Sequence, residues 1–155
     1  PRRGYNVVTQ KIVKEFQNVF TQNTVLELGN LDAKRDWGHA KDYVRAMWMM
    51  LQQDKPDDYV VATGEQHSVR DFVEAVVHQY NKDVVWQGEG LSEVGIVDGR
   101  EVVRVNPEFY RPCEVNTLLG DSTKIRSIGW SPSFSLEELV KDMCGNAPRA
   151  ITKFY

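Results

Sequence analysis

Apolar side chains recur at helical spacing in four stretches of this chain. From Thr9 to Phe20 the residues Ile12, Val13, Phe16, Val19 and Phe20 share one side, which predicts a helix buried along that face. Ala40, Tyr43, Val44, Met47, Trp48 and Leu51 recur at i, i+3, i+4, i+7, i+8 and i+11, which predicts a second helix turning this stripe to the core. Val69, Phe72, Val73, Val76, Val77 and Tyr80 give the cleanest pattern, behind Ser68 as N-cap with Asp71 in capping-box position. Ser135 and Glu138 form another such box before Leu136, Leu139, Val140 and Met143. A shorter helix is expected from Asp121 to a stop at Gly129, with Ile125 and Ile128 inward.

Strand signals lie between these helices. Thr24–Leu28 is a short β-like run that leads into a polar corner, Lys34-Arg35-Asp36-Trp37-Gly38-His39. Tyr59-Val60-Val61-Ala62, ended by Thr63-Gly64, reads as a strand covered on both faces, as in a parallel sheet. With the helix behind it, it makes half of a βαβ unit. Asp83–Trp86 reads as another strand. Ile96-Val97 and Val102-Val103 around Asp98-Gly99 are the strongest hairpin signal. Periodicity ends at Gly145, so residues 1–144 read as one domain and 145–155 as a tail.

Composition narrows the partners. At 155 residues the chain suits one domain, and a formal net charge of −3 gives no basic field for nucleic acid or an anionic membrane. The longest apolar run, Ala46–Leu51, is far short of a membrane span, and no signal peptide opens the sequence. Cys113 and Cys144 could pair, but two reduced thiols in a cytoplasmic protein is the plainer reading. His39, His67 and His78 are too scattered for a metal set. The opening Pro1-Arg2-Arg3-Gly4, without a Met, reads as a cut within a longer reading frame.

Two kinds of chemistry are missing from the pattern. A dinucleotide site needs a Gly-rich turn between a strand and a helix, so that backbone N–H groups reach the pyrophosphate. Gly88-Glu89-Gly90 is the only close pair of glycines, and Glu93 stands where a third would be needed. A tyrosine that acts as acid or base is helped by a lysine one helical turn on, four residues later, which lowers the phenol pKa. Tyr5, Tyr43, Tyr59, Tyr80 and Tyr110 are followed at that spacing by Thr9, Met47, Thr63, Val84 and Glu114, and Tyr155 is terminal.

Five motifs in order carry a resemblance: PRRG with VTQKI, GNLDAKRDWGHAKDYVRAMWMML, ATGEQHSVRDFVE, YRPCEV, and GDSTK with GW.P. Together, from Pro1 to about Met143, they resemble the C-terminal, substrate-binding part of GDP-mannose 4,6-dehydratase, an extended short-chain dehydrogenase/reductase. The resemblance implies an α/β fold, a partial NAD(P)-binding Rossmann-like arrangement without its N-terminal dinucleotide-binding half. It places the Tyr59–Ala62 strand in the large parallel sheet of that half. It implies NADP for the full-length family, with Arg3 as a cofactor contact, and Lys11, Arg35, Arg111 and Glu114 around the GDP portion of the substrate. Residue chemistry agrees: guanidinium forks suit a diphosphate, Lys11 adds a point charge, and Glu114 accepts from hydroxyl or amine groups. Trp37 is expected to pack and His39 to start a helix. Gln10, where the family usually has a basic residue, and the 88–104 stretch depart from the pattern, and the latter bears on substrate selectivity.

By residue type alone each position has a second reading. Arg35 beside Asp36 also suits a local ion-paired corner, Arg111 before Pro112 a turn, and Lys11 a solvated helix surface. Two functions are therefore expected. One is a fragment of a GDP-mannose 4,6-dehydratase that makes GDP-4-dehydro-6-deoxymannose, not catalytic alone, binding GDP or GDP-mannose weakly and NADP not tightly. The other is an independent non-catalytic module that binds or assembles as a homodimer through the orphan 59–62 strand.

Overall fold

The computed structural model describes residues 4, 6–110 and 115–145. Helix α1 (Val8–Gln22) ends where Asn23 takes a left-handed conformation, and it buries Ile12, Val13, Phe16 and Val19 as its spacing predicts. Strand β1 (Leu26–Leu28) then runs parallel to β6 (Arg100–Val105), which pairs antiparallel with β5 (Val94–Val97), itself antiparallel to β4 (Val85–Gln87). The expected hairpin is the β5–β6 pair: Asp98 and Gly99 both have positive φ, 51° and 75°, as a tight two-residue turn requires.

Helix α3 (Val69–His78) carries the complete Ser68–Asp71 capping box, and α5 (Leu136–Gly145) the Ser135–Glu138 pair. Both pack with α1 and the sheet around Phe16, Phe72, Val76, Val103 and Val140, each with no exposed surface. This is the main core. The short α4 (Thr123–Ser127) buries Ile125, and its first turn receives the Asp121 carboxylate through the Thr123 N–H, 2.9 Å.

Two expectations fail, in one region. Helix α2 (Ala40–Met50) is present, but it buries Asp42 and Ala46, not the predicted stripe. Val44, Met47 and Trp48 are 63%, 55% and 62% exposed, and Leu51 just beyond is 82% exposed. The reason is polar: Asp42 accepts from the Ser133 and Phe134 N–H groups, and its carbonyl from the Trp130 indole, so the polar side is tied inward. The second failure is Tyr59–Ala62, which forms no strand and pairs with none among the described residues. Tyr59 and Val61 pack beside Ala46, Ile125 and Trp130 in a small second cluster, and Ala62 lies against Gly120. Tyr59–Ala62 and α3 thus form no βαβ unit among the described residues; α3 follows β3 (His67–Ser68), which pairs antiparallel with β2 (Lys34–Arg35). No helix among the described residues is long and apolar enough to cross a membrane.

Candidate functional site

The C-terminal ends of the parallel pair β1–β6 form a rim, the part of an α/β sheet where ligands commonly sit. Asn106 holds the rim together. Its N–H donates to the Leu28 carbonyl (2.8 Å), its amide donates to the Glu27 carboxylate (3.0 Å), and its side-chain oxygen accepts from the Glu108 N–H (2.9 Å). That last bond caps a single 3-10 turn, Pro107–Phe109. Gly29 belongs to the same place: a Cβ there would collide with the Phe109 carbonyl. Lys11 reaches the rim from α1, donating to the Glu27 main-chain oxygen (2.6 Å) with its ammonium 3.9 Å from the Phe109 ring centre. Burial pushes the Lys11 amine below its ordinary range, and the Glu27 charge partly offsets this. Lys11 is therefore not a solvated helix lysine: from the first turn of α1 it lies as a half-buried cation at the strand ends.

The polar corner is a junction of four segments. Arg35 donates through Nη1 to its neighbour's carbonyl (Lys34, 2.8 Å) and to that of Val115 (2.6 Å). Lys34 adds backbone bonds to Asn116 and Leu118, so the 115–118 stretch lies along β2. Asp36 accepts from the Thr63 N–H and hydroxyl and from the Gly64 N–H, which fixes the turn after Ala62. Trp37 meets Phe72 edge-on in the main core, 5.1 Å between rings. His39 starts α2: Nδ1 accepts from the Lys41 N–H, Nε2 faces Asp142 at 3.2 Å, and the ring stacks on Phe134. Trp37 and His39 thus take the packing and helix-start places expected of them. Arg3, Arg111 and Glu114 lie outside the described residues, as do Cys113 and the expected tail from residue 146 on.

Sequence reasoning missed Glu27 and Asn106 at the rim, and Arg126 elsewhere. Arg126 donates to the Thr63 carbonyl (2.6 Å) and, through Nε, to Ser122 (2.9 Å) beside an open cavity of about 470 Å³ lined also by Gly64, Glu65, Gly120 and Asp121. Only the Asn106-Pro107 pair, an Asx residue before proline, signals a capped turn in sequence. The Gly88-Glu89-Gly90 stretch does not make the turn that a dinucleotide pyrophosphate needs. The Gly88–Gly90 stretch leads from β4 into a single 3-10 turn and back through β5, so no α-helix N-terminus stands there to receive a pyrophosphate.

The fold is found in larger enzymes. RMD from Pseudomonas aeruginosa, solved with NADPH, matches 94% of this chain with a TM-score of 0.73 at 15% identity, over 43% of its own length. UDP-glucose 4-epimerase of Thermus thermophilus, solved with NAD, matches 95% with a TM-score of 0.65 at 20% identity, again over 43% of that chain. The fold is therefore a mixed α/β one shared with a part of these two enzymes. The family model for GDP-mannose 4,6 dehydratase matches residues 1–143, and the chain belongs to that family. GDP-mannose 4,6 dehydratases of Drosophila melanogaster and Homo sapiens are 52% and 50% identical over 147 residues, and that of Vibrio cholerae 44% over 157. Each alignment covers 92% of this chain but 37%, 40% and 42% of the relative, so the chain spans about two fifths of their length.

Proposed function

We propose that this chain is the nucleotide-sugar-binding part of a GDP-mannose 4,6-dehydratase, acting with a cofactor-binding half and not catalytic alone. The observation that carries this is the pairing of close identity to dehydratases across 92% of the chain with the absence from its sequence of a Gly-rich turn and a Tyr-x-x-x-Lys pair. In this reading Lys11 and Arg35, with Arg111 and Glu114, serve the GDP portion of GDP-mannose, and NADP is held by the other half with help from Arg3. The exposed stripe Val44, Met47, Trp48 and Leu51 is the face that half would cover. A cytoplasmic setting with reduced thiols goes with this chemistry.

Purified chain incubated with NADP and GDP-mannose is expected to leave the GDP-mannose unchanged on ion-exchange chromatography. It should bind GDP weakly, and Arg111→Met more weakly still, because affinity depends on a preorganised cradle. Formation of GDP-4-dehydro-6-deoxymannose overturns the non-catalytic part; preference for UDP-sugars overturns the substrate class.

A second reading, self-assembly as a homodimer, draws on the same uncovered stripe. The expected surface is then the outer face of α2, more than the 59–62 segment, whose Tyr59, Val61 and Ala62 are largely covered from within the chain. Light scattering on Trp48→Glu and Val60→Lys separates the two surfaces, and a monomeric unsubstituted chain ends the reading.

A further inference from the structure

The rim holds a carboxylate beside the cation expected to meet a diphosphate. A free Glu27 side chain next to Lys11 would form an internal ion pair and compete with any anionic ligand. The bonding is otherwise. Lys11 uses the main-chain oxygen of Glu27, while the Glu27 carboxylate takes the Asn106 amide. Asn106 is itself fixed by its backbone bond to Leu28 and by the Glu108 N–H.

We propose that Asn106 is a positioning residue that holds the Glu27 carboxylate away from Lys11, so that the Lys11 ammonium, seated on the Phe109 ring, stays available to the diphosphate of a nucleotide ligand. The inference rests on the nucleotide-sugar reading above and deepens it, since it names what keeps one of the expected contacts available. Asn106 touches no ligand in this scheme. It acts through Glu27, and through the capped turn that presents Phe109. The amide is suited to the task, being a neutral donor that satisfies a carboxylate without adding a second cation.

The arrangement has a signature that a purely structural role lacks. Asn106→Ala releases Glu27 to pair with Lys11 and weakens GDP binding about fivefold, the worth of an exposed ion pair. Adding Glu27→Gln removes the competing charge and restores affinity, although Asn106 is still absent. Glu27→Gln alone binds no more weakly than the unsubstituted chain. Asn106→Asp keeps the acceptor for the Glu108 N–H, and so the turn, but repels Glu27 and shows the same loss as Asn106→Ala. Guanosine, without phosphates, binds all four variants and the unsubstituted chain alike.

Titration of the ¹⁵N-labelled chain with GDP and with guanosine, followed by amide shifts, reads every arm. Loss in Asn106→Ala with recovery in the double variant supports the assignment. A double variant as weak as Asn106→Ala, or no loss in either Asn106 variant, overturns it while leaving the nucleotide-sugar reading standing. An unsubstituted chain that takes up no GDP overturns that reading, and the role of Asn106 with it.

Discussion

The molecule has two apolar regions built on opposite terms. In the main core, α1, α3 and α5 close over the sheet, and every predicted inward face is covered. In the second, around α2 and α4, the buried cluster is Ala46, Ile125 and Trp130, while four large apolar residues of the α2 stripe face outward. Composition does not distinguish the two helices, since α2 and α3 are both amphipathic at helical spacing. What differs is where polar groups find partners. The polar groups at the start of α3 close on themselves in the Ser68–Asp71 box, leaving its apolar face to choose the core. Asp42 in α2 is claimed by two loop N–H groups, and the helix rolls so that its apolar side has no cover among the described residues.

The largest expected difference follows directly. Phe72→Ala removes a fully buried ring that meets Trp37, and should lower unfolding free energy by about 3–5 kcal/mol. Trp48→Ala, a similarly large truncation, should cost less than about 0.5 kcal/mol, the range for exposed positions. Urea denaturation at low protein concentration measures both. A cost at Trp48 close to that at Phe72 would show that the α2 face is covered in solution, and the contrast between the regions would disappear.

The main core was largely legible because its signals are local. Caps, helical spacing and the Asp98-Gly99 turn each reside in a few adjacent residues, and all of them appear where the pattern puts them. The second region was not legible, because its determinants are long-range. Asp42 contacts residues about ninety positions away, and the identity of an inward face cannot be read from spacing when a buried carboxylate overrides it. Tyr59–Ala62 has the composition of a buried strand, but a strand exists only with a neighbour, and none is present among the described residues. The rim was half legible. Lys11 came from resemblance, whereas Glu27 and Asn106 meet across 79 positions.

Next in size is the tie that orients α2. Asp42→Ala strips acceptors from the Ser133 and Phe134 N–H groups and leaves Arg45 without that carboxylate. Bonds of this kind, to a charged acceptor, are worth about 2–3 kcal/mol together with the orphaned donors. Asp42→Asn retains one oxygen acceptor and should lose less. The comparison with Phe72→Ala then has a second readout. If α2 is held only by this tie, amide exchange in Asp42→Ala should accelerate across α2 and residues 130–134 while α3 stays protected. Uniform acceleration through both regions would mean that they unfold as one unit.

The smallest expected effect sits at the edge of the main core, on Lys11. Burial lowers its pKa in the folded chain, against a smaller upward pull from Glu27, so the folded protein gives up this proton at lower pH than the unfolded chain does. Between the lowered folded value and the ordinary value of 10.5 the unfolded state therefore binds more protons, and the stability owed to this group rises with pH. Below that window the charged amine carries its full desolvation penalty. Much of the side chain remains in contact with solvent, which screens the effect to less than about 1 kcal/mol. Lys11→Met has no such proton, so the difference between the two proteins isolates it from other lysines and tyrosines titrating nearby. Urea midpoints near pH 8 and just below 10.5 should show the unsubstituted chain gaining on Lys11→Met as pH rises. A loss instead would mean that Lys11 is held chiefly as a cation by Glu27, with the rim already neutralised from within.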